Sequence, residues 1–95
     1  LMVSMWPTIN EKSENYREML DRNLLIRTAS GSNRVFDFYG PQAEIDPTNP
    51  ETRAYVWSKL KENYIDQGVD CLWFAEAEPE IHPEHFDNLV LSLGN

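Results

Sequence analysis

Ninety-five residues allow at most one small domain, and a hydrophobic fraction of 41% with 12% aromatics is enough to pack a core. Eight basic residues against sixteen acidic ones give a net charge of −8, which argues against nucleic acid and anionic membranes as partners. No apolar run approaches the ~18 residues of a membrane span. The opening Leu1-Met2-Val3-Ser4-Met5 has neither the basic region nor the small-residue cleavage site of a signal peptide, so the sequence reads as soluble and gives no compartment.

The first element is a short apolar strand, Met2-Val3-Ser4-Met5-Trp6, stopped by Pro7. From Ser13 the pattern becomes helical. Tyr16, Met19, Leu20 and Leu24 recur at three- and four-residue spacing, with Glu14, Arg17, Glu18, Asp21 and Arg22 on the other face and Ser13 as the cap. Residues 26–49 hold Gly31, Gly40, Pro41, Pro47 and one aromatic island, Phe36-Asp37-Phe38-Tyr39, and read as a long excursion rather than regular structure. A second helix starts at Asn49, a cap, with Pro50 in the first helical position and Glu51 at the positive dipole end. It runs to about Gln67, buries a stripe of Val56, Leu60 and Tyr64 with Trp57 and Ile65 beside it, and stops at Gly68.

A second strand, Val69-Asp70-Cys71-Leu72-Trp73-Phe74, follows at once and reads as buried. Cys71, the single cysteine, excludes an internal disulfide framework and reads as a buried, inert thiol. Strand, helix and excursion, helix, strand is the order of a βαβ unit of a parallel sheet with a lengthened crossover. The final Leu89-Val90-Leu91-Ser92-Leu93 fits an additional strand or a short helix equally.

Two sites are weighed and set aside. The loop from Glu76 to His85 carries four carboxylates and two imidazoles, which are metal-ligand types. Pro83 separates His82 from His85, however, and no His-Glu-x-x-His helix is present, so a solvated acidic loop is the expectation and neither metal nor cofactor is assigned. Ser30-Gly31-Ser32-Asn33 has one glycine and lacks the Lys-Ser/Thr ending of a phosphate loop.

The strand ending in acid residues, Trp73-Phe74-Ala75-Glu76-Ala77-Glu78-Pro79-Glu80, carries more information. Catalytic groups in parallel barrels stand at the C-terminal strand ends. Taken with Val3-Ser4-Met5-Trp6-Pro7-Thr8-Ile9, Asn15-Tyr16-Arg17-Glu18-Met19, Asn23-Leu24-Leu25 and Ile45-Asp46-Pro47-Thr48-Asn49-Pro50-Glu51, in that order, the chain resembles glycoside hydrolase family 31, the retaining α-glycosidases. The resemblance implies an α/β fold in which residues 1–95 are a βαβ-type segment of a (β/α)8 barrel: third strand, insertion at about 26–49, third helix, fourth strand and the following loop.

It also implies a chemistry. An aspartate at the end of the fourth strand attacks the anomeric carbon of an α-linked glucoside or xyloside, and a later carboxylic acid protonates the leaving oxygen. Carboxyls about 5 to 5.5 Å apart suit such a retaining, covalent route. The family's Trp-x-Asp-x-x-Glu pattern, aligned on Trp73 and Glu78, puts the nucleophile at Ala75. A methyl forms no glycosyl ester, and the acid/base would lie beyond Asn95, so the chain is expected to be inactive. By the same resemblance Trp73 and Ile9 line the sugar pocket and Glu78 supports through hydrogen bonding; Glu76 departs from members that carry an apolar residue there, and is read from its own carboxylate as a partner for a sugar hydroxyl. As ordinary protein residues, Trp73 and Ile9 read equally well as core.

Three accounts of Ala75 stay open: a deliberate knock-out of the nucleophile, a natural binding-only relative, and chance likeness in an ordinary α/β segment. A complete barrel needs about 250 residues, and two strands close none. The isolated segment is therefore expected to be marginal in stability or to self-associate. A non-catalytic carbohydrate-binding or scaffold module is the alternative function.

Overall fold

The computed structural model of the chain describes residues 1–28, 36–37, 41–75 and 89–90. Strand β1 (Met2–Met5) and strand β6 (Cys71–Phe74) run parallel, with Met2 opposite Cys71 and Met5 opposite Phe74. The ladder continues one step at each end, because the Asp70 amide donates to the Leu1 carbonyl at 3.1 Å and the Ala75 amide to the Met5 carbonyl at 2.9 Å. Between them lie β2 (Thr8–Asn10), α1 (Tyr16–Asp21), β3 (Arg27–Thr28), β4 (Phe36–Asp37), β5 (Pro41–Glu44) and α2 (Pro50–Asn63). The βαβ order is as expected.

The stretch read as irregular contains three strands. Strand β5 pairs antiparallel with both β2 and β4, placing Ile9 opposite Ala43 and Phe36 opposite Gln42. Strand β3 pairs antiparallel with β7 (Leu89–Val90), which makes those two residues strand rather than helix. These strands are two to four residues long, too short for alternation to register against the glycines and prolines around them. Pro41 is the first residue of β5, where a missing donor does least harm.

Helix α1 is shorter than its apolar spacing predicts. Leu24 lies beyond its end: the Leu24 amide returns to the Met19 carbonyl at 2.9 Å and the Asn23 amide to the Leu20 carbonyl at 3.1 Å, with Asn23 left-handed at φ 62°. That is a Schellman stop, closed by apolar contact between Met19 and Leu24. The helix begins at Asn15 with no side-chain cap, while Ser13, expected as the cap, accepts from the Asn15 amide at 3.3 Å.

Helix α2 begins as its sequence dictates, Asn49 accepting from the Glu51 amide at 2.9 Å with Pro50 first. After a 3-10 turn over Ile65–Gln67, Gly68 closes it at φ 102°. Its buried side chains are Thr52, Tyr55 and Leu60. Val56, Tyr64 and Ile65 of the expected stripe are half-buried, and Trp57 is 51% exposed. The buried line thus runs one residue toward Thr52 and Tyr55 from the predicted one, because α2 packs on the insertion as well as on the parallel strands.

The core accordingly forms where α1, α2 and the β2–β5 sheet meet, from Met19, Leu24, Leu25, Ala43 and Tyr55. Strand β6, expected to be buried, is not: Cys71, Trp73 and Phe74 are all exposed. Parallel strands bury both faces only when both are covered. Here the β1–β6 sheet has two strands and α2 on one side, so Cys71 on the other side is an exposed thiol.

Candidate functional site

Alternate side chains of a strand point to opposite faces. Val3, Met5 and Leu72 are half-buried. Met5 shares a cavity of about 120 Å³ with Tyr55 and Leu60 of α2, and Phe74 shares an apolar groove of about 420 Å³ with Val56, Trp57 and Leu60. This face therefore looks toward the helix. The opposite face presents Met2, Ser4, Cys71 and Trp73, all exposed. Ser4 stands directly across from Trp73 and Met2 across from Cys71.

Ala75 is next on the alternation that carries Trp73. Its amide, bound to the Met5 carbonyl, fixes it as the first residue past the C-terminal end of β6, on the side away from α2. The structure thus brings Trp73 and Ala75 to one face at one strand end. Ile9 lies in β2, packs against the core cluster and borders the smaller cavity. Glu76, Glu78 and the acidic loop lie outside the described residues, as do Ser30-Gly31-Ser32-Asn33 and Leu91-Ser92-Leu93.

Chemistry-bearing groups elsewhere are engaged in structure. Asp46 is buried, and its Oδ1 accepts from the Thr48 amide at 3.0 Å and the Thr48 hydroxyl at 2.6 Å, which holds the turn into α2. The Leu1 ammonium pairs with Asp70 at 2.9 Å in full exposure, at the strand ends remote from Ala75. Burial, followed by the nearby Glu18 carboxylate, raises the pKa of Tyr55, whose ring lies 5.1 Å from the Arg22 guanidinium. Among the described residues no three His, Cys, Asp or Glu side chains gather as metal ligands, and no helix is long and apolar enough to cross a membrane. At the strand end Ala75 supplies a methyl, which neither ionises nor attacks carbon.

Sequence reasoning passed over Ser4. The signal was the period-two alternation of β1, which becomes informative only once the register sets Ser4 beside Trp73.

Comparison with known proteins converges on one family. The model of the glycosyl hydrolases family 31 TIM-barrel domain matches residues 1–91. An uncharacterized family 31 glucosidase of Pseudescherichia vulneris is 38% identical over 101 residues, covering 100% of this chain and 19% of the relative. α-Xylosidase A of Aspergillus niger is 33% identical over 89 residues, 93% of this chain and 12% of that protein. Among solved structures, a family 31 α-xylosidase from a soil metagenome complexed with xylose superimposes with a TM-score of 0.86 at 39% identity, over 99% of this chain and 14% of that one. The chain therefore spans a fifth or less of the length of the curated relatives it matches.

Proposed function

This chain belongs to glycosyl hydrolase family 31, and from that premise we propose that it is the part of a family 31 barrel that carries the nucleophile position, with alanine in place of the nucleophile. In this reading β1 is the third barrel strand, α2 the third helix and β6 the fourth strand, with the insertion at about 26–49 between them. The whole barrel acts on α-linked glucosides or xylosides through a glycosyl-enzyme intermediate. Relatives named as α-xylosidases favour the xylosides.

One observation carries the assignment. Ala75 stands at the C-terminal end of β6, on the face turned from α2. Helices line the outside of a (β/α)8 barrel and active sites occupy its C-terminal strand ends, so the face away from the helix is the interior, and Ala75 is at its catalytic rim. Trp73, one step below, offers an aromatic wall to sugar C–H groups. Ile9, the other pocket residue the resemblance implies, packs against the core cluster and the helix-side cavity rather than beside Trp73; Glu76 is the partner of a sugar hydroxyl, and Glu78 the supporting hydrogen-bond group.

With a methyl at position 75 the covalent step has no attacking oxygen, and the chain is inactive. The exposed indole of Trp73 beside that methyl supports a second reading, a site that holds sugar without cleaving it. Grafting residues 1–91 in place of the matching segment of the Aspergillus niger relative separates the two. The graft with Ala75→Asp is expected to hydrolyse an aryl α-xyloside, and the graft with Ala75 is expected not to. A folded, sugar-binding Ala75→Asp graft that stays inactive overturns the nucleophile assignment.

A further inference from the structure

On the face turned from α2, the side chains stand in layers counted down from the strand ends. Ala75 is uppermost, Ser4 and Trp73 form the next layer, and Met2 and Cys71 the one below. Barrel interiors are filled by bulky branched residues. Met2 and Cys71 conform to an apolar filling. Ser4 does not, because across from a tryptophan it offers only a hydroxymethyl group.

Adjacent parallel strands lie about 4.8 Å apart, so a leucine or isoleucine at position 4 would lie against the Trp73 indole. Serine, with only a hydroxymethyl group, leaves the side of the indole toward β1 uncovered. Serine also puts a hydroxyl, both donor and acceptor, at the foot of the ring. The Met2–Cys71 layer below offers no hydroxyl, so of these two layers Ser4–Trp73 is the one that presents a polar group beside an aromatic ring on this face.

We propose that Ser4 is a sugar-binding residue of the site: its hydroxyl hydrogen-bonds a ring hydroxyl of a pyranose stacked on Trp73, and its small size is what admits that ring. This rests on the reading of Ala75 and Trp73 as the sugar side of a barrel, and it adds the residue that sets the depth of the pocket.

The test is calorimetric titration with methyl α-D-xyloside of the Ala75 graft of residues 1–91 in the Aspergillus niger relative, with near-UV circular dichroism to show that each variant keeps its fold. A saturable heat change is expected in the parent graft, lost in Trp73→Ala. Ser4→Ala keeps the opening and removes the hydroxyl, and is expected to weaken binding about three- to tenfold, the range of one hydrogen bond. Ser4→Leu covers the indole and is expected to abolish the change. If both Ser4 variants bind as the parent does, the Ser4 inference falls while the sugar site stands. If the parent shows no saturable change, the sugar-site reading falls and Ser4 with it.

Discussion

The hydroxyl of Thr52 is fully enclosed and donates to the Leu24 carbonyl at 3.1 Å. The same carbonyl accepts the Asp46 amide at 2.9 Å. One oxygen thus joins the end of α1, the turn after β5 and the first turn of α2. Thr52→Val keeps the shape and removes the donor. Because the carbonyl retains its second partner, the loss should be that of one net hydrogen bond, about 1 kcal/mol, rather than of a stranded polar group. Denaturant unfolding that shows a loss of several kcal/mol would mean Thr52 holds more than this bond.

Tyr55 gives a pH dependence. Its folded pKa is raised above the ordinary phenol value, first by burial and then by Glu18, so the folded state holds the phenolic proton more tightly than the unfolded chain. Its contribution to stability is complete below the unfolded value of about 10 and is lost as pH rises through the folded value. Unfolding midpoints at pH 8 and pH 11 should therefore fall more steeply for the parent than for Tyr55→Phe. Equal slopes would show that the phenol takes no part. Neither role was legible in the sequence, where Thr52 is one polar residue in a helical pattern and Tyr55 lies one position off the Val56–Leu60–Tyr64 line.

At the scale of elements, the signals at the ends of α2 hold while those at the ends of α1 do not. Asn49, Pro50 and Gly68 mark α2 by chemistry confined to its own ends, and all three act as expected. Removing the cap with Asn49→Ala should cost about 1 kcal/mol, seen as a lower thermal midpoint with α2 otherwise intact. The end of α1 departs from its apolar spacing because Leu24 continues that spacing while Asn23 turns the chain left-handed. Its burial serves the core from outside the helix, and Leu24→Ala should cost about 2–5 kcal/mol. A loss below 1 kcal/mol would contradict its place at the centre of the cluster. Strands β3 and β5 escape because their partners β7 and β2 lie distant in sequence, and β4 because it is only two residues long. That Ala75 occupies a nucleophile position is what the family pattern bracketed by Trp73 and Glu78 implies; the structure supplies its place just past the end of β6. Ser4 was not legible in the sequence, since its neighbour Trp73 belongs to the far end of the chain.

At the scale of the molecule, two apolar surfaces remain open on the described chain. Phe74 and Trp57, 65% and 51% exposed, flank the groove on the helix side, and Met2 and Trp73 stand on the other face at 56% and 57%. Strands β1 and β6 each have a single described neighbour, and unpaired strand edges are templates for further pairing. Family 31 relatives are several times longer than this chain, so the remainder of a barrel would cover these faces. For the 95-residue chain alone, a second copy is the available cover. Opposing this is the net charge of −8, whose repulsion is screened within about 10 Å at 0.1 M salt. Sedimentation is therefore expected to show association that rises with protein concentration and with added sodium chloride. Phe74→Ser, which removes the most exposed aromatic ring of the sheet, should weaken it. A chain that stays monomeric at high salt with a structured near-UV spectrum would mean that these faces need no cover, and would shift the balance toward an independent sugar-binding module.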